Sequence, residues 1–203
     1  MHGKPAVAVL RLGHRPGRDD RMTTHVGLTA RALGADRAIF AGGSQAAETV
    51  RDITDRFGGP FEAEVTDSPN AVLRNWDGRI AHLTMYGERV QDVEGEIRAT
   101  REDEGEPLLI VVGAEKVSFD VYEAADWNVG VTNQPHSEVA GLAVFLDRIF
   151  EGRELDREWE DADQRVVPMG TGKKVVDAAE QSRSDDSASP RSTPSREDED
   201  PEN

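Results

Sequence analysis

Residues 131–150 read VTNQPHSEVAGLAVFLDRIF, and the two halves of this stretch follow different rules. In the second half Val139, Leu142, Ala143, Leu146, Ile149 and Phe150 recur at three- and four-residue spacing. That spacing gathers them on one face of a helix over 138–150. Ser137 offers a side-chain acceptor to the first amides of that helix, and Pro135 suits the approach to it. The first half, Thr132 to Ser137, is polar, yet it follows the apolar run Trp127 to Val131, which reads as a strand. Strand, polar loop and packed helix in that order are the repeating unit of an α/β fold. The polar loop is either a plain turn or a ligand loop, and these residues alone leave both open.

The same unit recurs upstream. LLIVV, Leu108 to Val112, is the clearest buried strand, and Ala6 to Leu10, Ala38 to Ala41, Phe61 to Val65 and Ile80 to Met85 read as further strands. Helical patterns lie between them, over Thr23 to Leu33, Gln45 to Phe57, Asn70 to Trp76 and Gln91 to Arg101, with a helical turn over Val121 to Ala125. Alternation of this kind predicts an α/β fold with a parallel sheet covered by helices on both faces. After Gly152 the pattern changes: Arg165 to Pro168 and Lys173 to Val176 flank Met169-Gly170-Thr171-Gly172, which predicts a β-hairpin. The chain therefore divides into an α/β domain over 1–150, an extension with the hairpin over 151–177, and a tail over 178–203. Eight acidic residues against three arginines, with Ser and Pro and almost nothing apolar, predict that the tail is disordered.

The 203 residues carry a formal charge of −16, and five of those negative charges belong to the tail. Only four of the 24 basic residues are Lys. An acidic, Lys-poor globular chain is the composition of salt-loving organisms. There is no cysteine, which removes disulfides and zinc-thiolate sites. No apolar run approaches the length of a membrane span, and the N-terminus lacks a signal-peptide pattern, so the expected location is the cytoplasm. Net acidity argues against nucleic-acid partners. One local excess runs the other way: Arg11, His14, Arg15, Arg18 and Arg21 crowd together just after the first strand. They form either a polyanion site or a solvated loop balanced by Asp19 and Asp20.

Ligands of parallel sheets collect at the carboxyl ends of the strands. Three loops there are candidates: Thr84 to Gly87, Gly113 to Lys116, and Thr132 to Ser137. AGGSQA, residues 41–46, lacks the spacing of a nucleotide fingerprint and reads as a tight turn; MGTGKK, residues 169–174, fails the P-loop pattern. His14, His25, His82 and His136 have no metal-ligand spacing, and His136-Ser137 has no nucleophile elbow.

Three blocks, VLRLGHRPGRDDRMTTHVGLTARALGA, LLIVVGAEKV and NVGVTNQPHSEVAGLAVFLDR, resemble the archaeal tRNA 2'-O-methyltransferases that act on cytidine 56 of the T-loop. These belong to the SPOUT class of knotted methyltransferases, and the resemblance runs from about Val7 to Val176. It implies a SPOUT-like α/β fold whose C-terminal part forms a deep trefoil knot, S-adenosylmethionine as methyl donor, tRNA as substrate and a homodimer, with no metal. It implies cofactor contacts from Leu83, from Gly113, Ala114, Glu115, Lys116 and Val117, and from Val131, Thr132, Asn133, Gln134, Pro135, His136, Ser137 and Glu138. Arg31 falls in the frame of the arginine that orients the ribose hydroxyl, and Ser137 matches the serine of a later motif, so both are expected to be catalytic. His25 stands where the class usually has Asn. Arg11, Arg15, Arg18 and Arg21 are the expected phosphate contacts of the RNA. Another tRNA or rRNA ribose as the target, or a non-catalytic nucleotide- or RNA-binding α/β protein, are the competing readings.

Overall fold

The computed structural model describes residues 6–15, 17, 19–113 and 117–178, so the acidic tail expected to be disordered lies, after its first residue, outside the described residues. Its first twelve elements alternate strictly. They are β1 (Val7–Leu12), α1 (Asp20–Ala32), β2 (Arg37–Ala41), α2 (Ser44–Phe57), β3 (Glu62–Thr66) and α3 (Pro69–Arg74). Then come β4 (Arg79–Arg89), α4 (Val90–Glu102), β5 (Leu108–Gly113), α5 (Phe119–Ala124), β6 (Trp127–Gly130) and α6 (Glu138–Phe150). A 3-10 turn over Arg153–Asp156 leads to the antiparallel hairpin of β7 (Gln164–Val167) and β8 (Lys174–Asp177). The hairpin stands where the glycine-rich turn predicted it.

The six strands form one parallel sheet in the order β3-β2-β1-β5-β4-β6. All their carboxyl ends therefore lie at one edge. β1 and β5 fill the centre, and both are buried runs with no polar alternation, as a strand covered on two faces must be. Val7 and Val9 point to one face and pack with Val26 of α1, Val50 of α2, Ile97 of α4 and Leu146 of α6. Ala8 and Leu10 point to the other, where the short helices α3 and α5 supply Leu73 and Val121. At about 25 cal/mol per Å² of apolar area, the first and larger core carries most of the burial energy.

Two corrections matter for the site. Helix α1 begins at Asp20 rather than Thr23, so its first turn reaches the basic cluster. Residues 84–87, expected as a loop after Ile80 to Leu83, lie inside β4, which runs on to Arg89. Both Leu83 and Glu88 register with Val129 of β6, so the four residues between them bulge out of the ladder. Sequence periodicity cannot show such a bulge, because the strand resumes beyond it. The bulge is tied from outside: the Asn133 side-chain amide donates to the carbonyls of Met85 at 2.9 Å and Gly87 at 3.1 Å. The polar run after β6 thereby acts as a clasp on β4.

Candidate active site

Beyond the carboxyl ends of β4, β5 and β6 lies an open cavity of about 770 Å³. Its walls are apolar: Leu83 and Met85 from β4, Val112 from β5, Val117, Val129 and Val131. Gly113 and Gly141 keep it open. A Cβ on Gly113 would stand 2.1 Å from Val117 Cγ2, and one on Gly141 would stand 2.8 Å from the His136 ring. β4 lies between β5 and β6, so the chain must cross over it, and the loops diverge there to leave a crevice. Of the residues expected to hold a cofactor, Leu83, Gly113, Val117, Val131, Pro135, His136 and Glu138 line this cavity. Ala114, Glu115 and Lys116 lie outside the described residues. Thr132, Asn133, Gln134 and Ser137 do not line it; they shape the loop instead. Thr132 Oγ1 accepts from Gln134 N at 3.1 Å, and Ser137 Oγ accepts from Ala140 N at 3.1 Å, capping α6.

The cavity has a polar side that the sequence did not single out. His82 is 1% exposed, and its Nδ1 lies 2.9 Å from Asn128 Oδ1. Asn128 Nδ2 donates to the Tyr122 carbonyl at 2.9 Å, which fixes the amide and makes His82 Nδ1 the donor. Burial lowers the His82 pKa against the opposing pull of Asn128, so the ring is neutral and Nε2 is left as an acceptor. Tyr122 packs edge-on against the imidazole, 4.6 Å between centroids, and its hydroxyl is 2.9 Å from Thr84 Oγ1. One network thus joins β4, β6, α5 and the bulge. No single motif residue marks it; only the cross-strand register His82↔Asn128 brings the pair together.

At the other rim Arg11, 1% exposed, meets Glu138 with Nη2 3.1 Å from Oε2. Desolvation lowers the Arg11 pKa and raises that of Glu138, each opposed by the attraction of the other. The Arg11 guanidinium also donates to the carbonyls of Leu12 and Gly13. Arg11 is therefore withdrawn from the expected set of RNA contacts. It lies near the end of a central strand with its side chain buried, and its work is to join β1 to the start of α6.

The family model described as tRNA ribose 2'-O-methyltransferase, aTrm56, matches residues 57–176. The tRNA (cytidine(56)-2'-O)-methyltransferase of Natronomonas pharaonis is 71% identical over 176 residues, 86% of this chain and 97% of that protein. The chain belongs to the tRNA ribose 2'-O-methyltransferase family. The enzymes of the same name from Haloarcula marismortui and Pyrococcus horikoshii are 66% and 49% identical, over 89% and 91% of this methyltransferase-family chain and 100% and 93% of theirs. Among solved structures, an RNA 2'-O ribose methyltransferase matches with a TM-score of 0.54 at 18% identity. The SpoU methyltransferase AviRb from Streptomyces viridochromogenes, in complex with AdoMet, matches at 0.50 and 17%. Each match covers 74% of this chain and 58% of the solved one, and the likeness shows a common SPOUT-like α/β fold.

Within this methyltransferase-family chain the remaining expected residues separate in space. α1 runs antiparallel to the strands, so its last turn lies at their amino-terminal edge. Arg31, 7% exposed, donates there to the Gly58 carbonyl and stacks on Trp159, its Cζ 4.1 Å from the ring centroid. A six-residue strand is about 20 Å long, and that length separates Arg31 from the cavity of its own chain. The expected catalytic role is not open to it within one chain. Arg15, by contrast, stands at the correct edge and meets Asp19 at 2.9 Å. Arg21 is exposed on the first turn of α1, and Arg18 lies outside the described residues. His14, which accompanies them in sequence, is held between Thr23 Oγ1 at 3.0 Å and Asp20 Oδ1 at 3.1 Å, and it pins the loop to the helix.

Proposed function

We propose that this chain transfers the methyl group of S-adenosylmethionine to the ribose 2'-oxygen of cytidine 56 in the T-loop of tRNA. The observation that carries the reading is the coincidence of family membership with an apolar, glycine-gated cavity at the carboxyl edge of the sheet. The cavity fits the cofactor. Its volume of about 770 Å³ lies in the range of small-molecule sites, its walls are mostly aliphatic, and its polar groups stand at two places, around His82 and at Glu138. When bound, the cofactor supplies an activated methyl group and needs no metal.

The chain's own part is alignment and exclusion of water. Val112, Val129 and Val131 remove solvent from one wall. The neutral His82, fixed by Asn128 and Tyr122, offers an acceptor nitrogen without bringing charge into the slot. Glu138 contributes a carboxylate beside Arg11 at the opposite rim. Arg15 and Arg21, on the loop and helix that follow β1 at the same edge, are the proposed phosphate contacts, and Arg18 is proposed with them from its place in the sequence. An RNA phosphate held there is a suitable acceptor for the hydroxyl proton, since a guanidinium keeps its own. Ser137 acts as the cap that sets the direction of α6.

Two finer features belong to the same reading. The first is a deep trefoil knot, supported by the path of α6, which leaves the edge strand β6 and returns across α4 to pack on α1 and β5. The second is a homodimer, supported by α1 and α6 packing side by side with Met22 and Val144 left exposed on them. In molar salt the screening length falls to about 3 Å, so RNA affinity rests on close Arg-phosphate pairs and shape rather than on long-range charge. The test is nucleoside analysis of an unmodified tRNA transcript incubated with enzyme and cofactor. The reading expects 2'-O-methylcytidine and no other new nucleoside; a base-methylated product would contradict it.

A further inference from the structure

At the amino-terminal edge of the sheet, away from the cavity, a second cleft of about 550 Å³ lies between the ends of α1 and α2 and the C-terminal extension. Arg31, Arg157 and Arg165 line it, with Phe57, Trp159 and Gln164. Several arginines elsewhere in this acidic chain have carboxylate partners: Arg37 with Glu64, Arg79 with Asp126, Arg98 with Glu94, Arg148 with Glu94. In this cleft the arginines have none among the described residues. Arg31 and Arg157 spend hydrogen bonds on carbonyls, of Gly58 for the first and of Ala35 and Pro60 for the second. Both also stack on Trp159, with Cζ 4.1 and 4.8 Å from its centroid. The Arg31 pKa is lowered by burial and by the charge of Arg157, and no carboxylate opposes that pull. Arg31 Nε is buried without a hydrogen-bond partner among the described residues. Glu158 also lines the cleft, and it makes no ion pair with these arginines among the described residues.

Two neighbouring guanidinium groups in a partly closed cleft repel each other unless an anion lies between or beside them. Arginine forks match phosphate oxygens, and a phosphodiester carries the one charge such a cleft lacks. Trp159 already carries cations on its ring, so the cleft offers a charge site rather than a stacking platform for a base. We propose that this cleft binds a backbone phosphate of the tRNA substrate, at the edge of the sheet opposite the methyl-transfer cavity. The proposal rests on the tRNA reading above. It also accounts for the hairpin, since β7 carries Arg165 to the cleft and the paired bridge Gly59↔Glu160 fixes the extension beside Arg31. The enzyme then holds its substrate at two points about 20 Å apart along the strands, one near the reacting ribose and one remote from it.

The test is equilibrium binding of an unmodified tRNA transcript to the full chain and to Arg165→Glu. Arg165 lies on the exposed hairpin, so its replacement spares the core. S-adenosylmethionine binding is measured alongside, since it reads the cavity and the fold without RNA. The proposal expects a loss of tRNA affinity of roughly ten-fold, as for one charge-assisted contact. It also expects a salt slope shallower by about one unit and unchanged cofactor affinity. In turnover, KM for tRNA should rise while kcat at saturation holds. Unchanged tRNA affinity and salt slope would overturn the proposal. So would a shift in molecular mass with tRNA affinity intact, which would assign the cleft to subunit contact. If inorganic pyrophosphate bound with the same sensitivity to Arg165→Glu while tRNA did not, the cleft would serve a free phosphate compound and the tRNA assignment would fall. Because binding is read directly, absence of methyl transfer by the unaltered chain would count against the proposed activity and leave this test standing.

Discussion

Replacing Gly87 with Ala sets a general preference against one crowded site. Alanine is ordinarily the better residue in a regular element, by about 0.5–1 kcal/mol over glycine. At Gly87 an added Cβ would lie 2.3 Å from Asn128 O, 2.4 Å from Asn128 C and 2.5 Å from Val129 N. These are backbone atoms of the neighbouring strand and cannot rotate away. β4 and β6 would have to part locally by about an ångström, since carbon and oxygen in contact sit well beyond 3 Å. That strain costs about 1–3 kcal/mol, and loosening the ladder at Glu88↔Val129 and Arg89↔Gly130 adds about 1 kcal/mol per hydrogen bond. The expected loss is about 3–5 kcal/mol, or roughly 6–20 °C in Tm for a chain of this size. Because residues 84–86 line the cavity, S-adenosylmethionine affinity should fall as well. The control is the same substitution at Gly95, an exposed position in α4 with nothing within 4 Å of an added Cβ. There Tm should rise by about 1–4 °C. Thermal unfolding in molar salt, with calorimetric titration of the cofactor, measures both. Gly87→Ala with unchanged Tm and cofactor affinity would refute the described crossing of β4 and β6.

Three further outcomes follow from the same geometry. Ser137→Ala should lower Tm by about 2–4 °C, the worth of one helix cap near 1 kcal/mol, and leave kcat of the folded enzyme unchanged; lost turnover at unchanged Tm would restore the catalytic role expected from its motif. His82 has its folded pKa lowered below the ordinary value of about 6.5, so the native state binds fewer protons than the unfolded chain between those two values. Stability should therefore be full above about pH 6.5 and fall as pH drops through the lowered value, and His82→Leu should remove that part of the slope in unfolding curves recorded across pH. Tyr122→Phe deletes the hydroxyl beside Thr84 Oγ1 and keeps the ring against His82; it should weaken cofactor binding by up to ten-fold with little change in Tm, and equal affinity would show that the bulge does not depend on this bond.

The sheet was legible because its strands are buried runs separated by helical periodicity, and LLIVV at Leu108–Val112 and the face of α6 needed no tertiary knowledge. The hairpin was legible because Gly170 and Gly172 punctuate two short apolar runs. Helix ends were less so: α1 opens with Asp20-Arg21, whose polarity hides the first turn. Within the site, the loops at strand ends followed from topology, and seven of the residues expected to hold the cofactor line the cavity. Arg31 shows where a motif frame gives out. Its spacing from Val26-Gly27 says nothing of which end of α1 it occupies relative to the sheet, and helix direction decides that. Arg11 shows the same for composition: a cluster of arginines in sequence places one of them on a central strand, buried and paired with Glu138. His82 and Asn128 are 46 residues apart and meet only through parallel register.

The decisive measurement for the assigned reaction is methyl incorporation from labelled S-adenosylmethionine, at high salt, into an unmodified tRNA transcript and into the same transcript with cytidine 56 changed to uridine. Incorporation into the first and none into the second is the predicted result. Equal incorporation into both would contradict the assigned nucleotide, and none into either, with cofactor binding intact, would contradict the assigned reaction.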